Sequence, residues 1–109
     1  MRLLDASGAR IVVLYRQNAT SGEIWVNQNG TRAKTTGVLP LNQWRRLEVY
    51  VKTAGSESIV QVKADGTQIY TTTTASLGTS GISKMQLGND TGAQQFSIAV
   101  YYVSVRTGA

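Results

Sequence analysis

The sequence predicts an all-β chain folded as an antiparallel β-sandwich, and three observations carry that prediction. β-Branched and aromatic residues recur at alternate positions, glycine-containing turn pairs separate the runs at short spacing, and no sustained helical stripe occurs. The composition agrees, with 13 Thr, 9 Ser, 11 Gly and a single Pro. A chain of 109 residues is one domain, read here as residues 1–109. Folding at this size hides roughly 65% of the unfolded surface, so one modest core needs no covalent staples.

Taken in chain order, the first strand is Arg2–Asp5, closed by Ser7-Gly8. Ala9–Arg16 contains the longest apolar run, Ile11 to Tyr15, and is expected to send Ile11, Val13 and Tyr15 to the core. Glu23–Asn27 follows Ser21-Gly22 and ends at Asn29-Gly30, a pair suited to the positive φ angles of tight hairpins. Its Trp25 faces either the core or a ligand, because Ile24 and Val26 compete for the inside. In Gln43–Thr53, Leu47, Val49 and Val51 share one face, and Arg46, Glu48, Tyr50 and Lys52 share the other. Trp44 is expected to be the core tryptophan of that strand. Ser58–Ala64 sets Val60 and Val62 against Gln61 and Lys63, and Asp65-Gly66 turns it into Thr67–Thr73. The run Thr71 to Thr74 reads as an exposed strand end. Ala54-Gly55, Ser80-Gly81 and Thr91-Gly92 mark looser turns, and Ile82–Gly88 and Gln95–Arg106 complete the strands. In the last of these, Phe96, Ile98 and Val100 have one parity and Val103 and Val105 the other. Either both faces are covered there or a bulge at Tyr101-Tyr102 resets the phase.

Composition narrows the chemistry. Cysteine and histidine are both absent, which removes disulfides, thiolate nucleophiles, the usual general base near neutral pH and the commonest metal ligands. No cofactor and no metal site is expected. The net charge is +5 with a pI near 9.9, a balance that suits an anionic partner such as nucleic acid, acidic glycan or membrane. The cations are scattered singly except Arg45-Arg46, with no basic run and no arginine–aromatic interleaving, so nucleic acid is not expected as a partner. No apolar run approaches the roughly 20 residues of a spanning helix, so no membrane partner is expected, and no secretory leader is read before the first strand. Of the six acids, Asp5, Asp65 and Asp90 sit in turn sequence, and Glu48 lies among Arg45, Arg46 and Lys52, where an exposed ion pair is expected. Without histidine, activating a Ser or Thr hydroxyl would need Lys or an unusual site. Asn89-Asp90-Thr91 offers oxygen ligands for calcium but reads more simply as a turn. Sequons stand at Asn18, Asn29 and Asn89, where Asn and Thr also belong to β turns.

Three stretches together resemble a known class. They are Leu3-Leu4-Asp5-Ala6-Ser7-Gly8-Ala9-Arg10-Ile11-Val12-Val13-Leu14-Tyr15; Leu41-Asn42-Gln43-Trp44-Arg45-Arg46-Leu47-Glu48-Val49 with Val62-Lys63-Ala64-Asp65-Gly66-Thr67-Gln68-Ile69-Tyr70; and Leu87-Gly88-Asn89-Asp90 with Phe96-Ser97-Ile98-Ala99-Val100. Their order resembles bacterial domains of the concanavalin A-like, laminin-G-like jelly-roll class, in which a tryptophan opens a long strand, a D-G hairpin follows, and an L-G turn precedes a closing strand. The resemblance spans essentially the whole chain. It implies a truncated portion, because complete members carry further N-terminal strands, and hence sheet edges completed by self-association into a homo-oligomer. Tyr101 and Tyr102 stand where members often carry a D-D pair before the final V-x-V, here Val103-Ser104-Val105, which points to an interface or ligand platform.

The resemblance implies a non-enzymatic carbohydrate-binding or adhesion module, with Trp25, Asn27, Tyr50, Tyr70, Tyr101 and Tyr102 as the ligand-binding residues and a glycan as ligand. Its parent class is usually extracellular or at the cell surface. Two alternatives stand beside it. One is an excised or engineered self-assembling fragment with Tyr101 and Tyr102 at its interface. The other is a hydrolase with a site between subunits, although Glu23-Ile24-Trp25-Val26-Asn27-Gln28 keeps one carboxylate of the E-x-D-x-x-E strand found in related glycoside hydrolases.

Overall fold

A computed structural model of the chain describes residues 1–17, 22–88, 100 and 103–106. Every regular element among them is a strand: β1 (Arg2–Leu4), β2 (Arg10–Arg16), β3 (Glu23–Gln28), β4 (Thr31–Val38), β5 (Leu47–Lys52), β6 (Ser58–Ala64), β7 (Thr67–Ala75) and β8 (Lys84–Gln86). They form two sheets, ordered β4-β3-β2-β1-β8 and β5-β6-β7, and every pairing is antiparallel. The β4–β5 and β7–β8 connections carry the chain from one sheet to the other and back. Two hairpins turn on the expected pairs: Asn29 and Gly30 at φ 49° and 96°, Asp65 and Gly66 at φ 51° and 83°. Two successive positive φ angles match the right-handed twist of the flanking strands.

The sheets face each other across a common core of Ile11, Val12, Leu14, Ile24 and Val26 from the larger sheet and Val60, Val62, Ile69 and Ala75 from the smaller, with Leu77. Two bulges shape it. Leu3 pairs with Val12 and Leu4 with Arg10, leaving Ile11 as an extra residue, and both Ile11 and Val12 are buried. Val62 pairs with Tyr70 and Lys63 with Gln68, so Ile69 is extra and turns into the core beside Tyr70. Such bulges break strict alternation and let neighbouring residues face the same side. One long side of the sandwich closes where β4 meets β7. The Thr36 hydroxyl donates to the Ile69 carbonyl at 3.2 Å, and Gly37 lies so close that a Cβ there would stand 2.7 Å from Ile69 Cδ1.

Several expectations are corrected. β4 was not foreseen. Its sequence, TRAKTTGV, lacks apolar alternation because it is an edge strand with little to bury. The strand expected from Gln43 begins only at Leu47, and Trp44 is 70% exposed instead of core. Residues 39–46 form the connection between sheets, where neighbouring Leu41 is 72% exposed. Tyr15 and Val13 are half-buried on the outer side of β2, because the bulge at Ile11 gives the inner side to Val12 and Leu14. Val103–Arg106 carry no strand, and the rest of the expected Gln95–Arg106 strand, apart from Val100, lies outside the described residues. The alternation in β5 and in β6 is as expected.

Candidate functional site

β3 sends Ile24, Val26 and Gln28 inward and therefore Glu23, Trp25 and Asn27 outward. Antiparallel register fixes their neighbours. Trp25 lies between Tyr15 on β2 and Lys34 on β4, and Asn27 between Val13 and Arg32. Arg2 continues the second row, opposite Val13 on one side and Gln86 on the other, and Leu4 stands between Arg10 and Lys84. Arg2, Arg10, Arg32, Lys34 and Lys84 thus share the outer side of one sheet, whose strands contain a single acid, Glu23, ion-paired with Lys34. Cations that are isolated in sequence are brought to one side of a sheet because pairing is non-local.

The polar groups here are partly committed. Arg2 is 9% exposed and donates to Gln86 Oε1 and to the Gly88 carbonyl, each at 3.2 Å. Asn27 Oδ1 accepts the Gly30 amide at 2.7 Å, tying the residue to its own hairpin turn. Trp25 is half-buried, and its indole N–H is screened from solvent with no acceptor among the described residues. Beside it, where β4 bulges opposite Ile24, a shallow groove of about 630 Å³ is lined by Glu23, Lys34, Thr35, Thr36, Gly37 and Val38.

Two of the other expected ligand-binding residues, Tyr50 and Tyr70, lie elsewhere. Tyr70 turns toward the core, where its hydroxyl accepts Gln28 Nε2 at 2.5 Å between the sheets. Tyr50 is 38% exposed on the outer side of the smaller sheet, with Gln61 opposite and Thr71 beyond. Tyr101 and Tyr102 lie outside the described residues, as do Asn89, Asp90 and the sequon at Asn18. The proposed set is therefore not one constellation: Trp25 and Asn27 stand together, Tyr50 faces away from them, and Tyr70 lies between the sheets. Arg32, Lys34 and Tyr15 are the neighbours that the sequence reading missed. The Asn29-Gly30 turn was the available signal, since a two-residue hairpin puts Thr31 opposite Gln28 and Arg32 opposite Asn27.

The described acids do not converge. Asp5 accepts the amides of Ser7 and Ala9 and the Ser7 hydroxyl, and these bonds, the hydroxyl's foremost, hold its carboxyl below the usual range. Asp65 is lowered likewise, first by the Arg45 guanidinium and then by the Arg46 amide. Glu48 pairs with Arg46 at 3.1 Å, as expected. No group of three or more acids is arranged to hold a metal among the described residues. Comparisons of the chain with protein-family models, curated proteins and solved structures return no match.

Proposed function

We propose that the chain is a non-enzymatic carbohydrate-binding or adhesion module of the concanavalin A-like, laminin-G-like jelly-roll class, acting as a homo-oligomer. The observation that carries the reading is the outer side of the larger sheet, where Trp25 and Tyr15 adjoin Asn27, Arg32 and Lys34. An aromatic surface flanked by amide and cationic donors suits a sugar ring with acidic substituents. Supporting the class are two all-antiparallel sheets, the Asp65-Gly66 hairpin between β6 and β7, and Leu87-Gly88 after β8. A glycan array followed by calorimetry tests the binding. An acidic glycan should be retained, with affinity falling as salt rises. Trp25→Ala should weaken it by about tenfold or more, as removal of an aromatic anchor does. No binding by the wild-type protein on the array or in calorimetry overturns the reading.

A second reading, a self-assembling fragment with no ligand of its own, is favoured by the exposed Val100, Val103 and Val105. It predicts association without glycan binding, checked by light scattering across a dilution series beside the array.

A further inference from the structure

The connection between the sheets, residues 39–46, is held at both ends. At its start the Leu39 amide donates to the Gly22 carbonyl at 2.8 Å, and the Leu39 carbonyl accepts Arg16 Nε at 2.6 Å. At its end Asp65 takes two neighbours: Oδ2 accepts Arg45 Nη1 at 2.7 Å, and Oδ1 accepts the Arg46 amide at 3.0 Å. Gln43 Oε1 accepts Arg45 Nη2 at 2.9 Å. Between these anchors the chain turns at Leu41-Asn42, with Asn42 at φ 60°, and leaves Leu41 72% and Trp44 70% exposed. Water is a poor solvent for both side chains, and a loop fixed at its two ends presents them at little further entropic cost to whatever covers them.

The charge around the loop bears on what covers it. Residues 39–46 contain two arginines and no acid. Asp65 and Glu48 at its base each pair with one arginine, and Lys63 stands opposite Glu48 on β6, so cations outnumber acids among these residues. The whole chain carries +5. Tryptophan beside arginine suits a bilayer interface, where the indole sits at headgroup level and guanidinium groups meet lipid phosphates. We propose that residues 39–46 dock the protein on an anionic phospholipid surface, with Leu41 and Trp44 entering the headgroup layer and Arg45 and Arg46 at its phosphates. No helix among the described residues is long and apolar enough to cross a membrane, and a contact of this kind needs none. It is reversible, since two side chains and a few charges fall far short of a spanning helix.

This goes beyond the glycan reading and uses different residues, so a negative glycan array leaves it standing. Cosedimentation with phosphatidylcholine–phosphatidylserine vesicles tests it. The wild-type protein should pellet with them, much less with phosphatidylcholine alone, and added salt should release it. Trp44→Ala and Leu41→Ala should each weaken binding by about tenfold, and Arg46→Gln by about fivefold. Circular dichroism of the loop variants should match wild type, because the replaced side chains are exposed. The chain has two tryptophans, so Trp25→Phe leaves Trp44 as the reporter. Its emission should move to shorter wavelength with the mixed vesicles and be quenched by lipids brominated near the headgroup end of their acyl chains. A wild-type protein that does not pellet overturns the proposal, as does pelleting that neither loop variant weakens. Equal binding to phosphatidylcholine alone overturns the selection by charge. Association of copies that Trp44→Ala disperses in light scattering, without vesicle binding, overturns it in favour of a second copy on the loop.

Discussion

Gln28 and Tyr70 meet between the sheets at 2.5 Å, and Gln28 Oε1 is buried with no partner among the described residues. Removing the Tyr70 hydroxyl strands the amide group as well. Tyr70→Phe should therefore cost about 1–3 kcal/mol in urea unfolding while leaving any glycan affinity at Trp25 unchanged. Gly37 poses the opposite problem, excess volume. An alanine there meets Ile69 Cδ1 at 2.7 Å and Cγ2 at 3.1 Å, and Ile69 is held in a bulge with little room to move. Gly37→Ala should destabilise by about 1–3 kcal/mol by the same measurement, and Ile69→Val in that background should recover part of the loss. Asp5 and Asp65 give the pH dependence. Both carboxyls titrate below their ordinary 3.8 in the folded chain, so the unfolded chain takes up protons first. Their contribution is complete above the unfolded value and is lost as pH falls through the folded one. Asp65→Asn should flatten the fall in melting temperature below about pH 4, and a curve unchanged in shape would count against this assignment.

At the scale of elements, the hairpins were legible and the edges were not. Asn29-Gly30 and Asp65-Gly66 declare themselves because positive φ is a property of the turn residues. β4 did not, because an edge strand folded against one isoleucine and a few hydroxyls needs no apolar alternation. Trp44 misled for a related reason. A tryptophan ahead of an alternating run reads as its first core residue, yet here it belongs to the connection that changes sheets. The Asn29-Gly30 turn sets which residues of β4 lie beside Trp25 and Asn27. Replacing Gly30, at φ 96°, with Ala should strain that turn by about 1 kcal/mol and weaken glycan binding through Arg32 and Lys34. Calorimetry beside urea unfolding separates the two effects.

For the whole molecule, the two sheets enclose a small core between them. What the sequence determined by itself is the local chemistry. It set the all-β class, the two tight hairpins, which residues share a face in β5 and in β6, the Asp5 and Asp65 turns, and the want of cysteine and histidine. Each of these depends on residues a few positions apart. Tertiary structure alone decided which side of β2 is buried, because the bulge at Ile11 exists only through its pairing with β1. It likewise put Tyr70 inside through the bulge at Ile69, and gathered Arg2, Arg10, Arg32, Lys34 and Lys84 on one side of a sheet. The physical reason is common to all three. The two-residue period gives side chains alternate directions along one strand, but only hydrogen-bonded register between distant strands determines what lies beside them and which direction is inward.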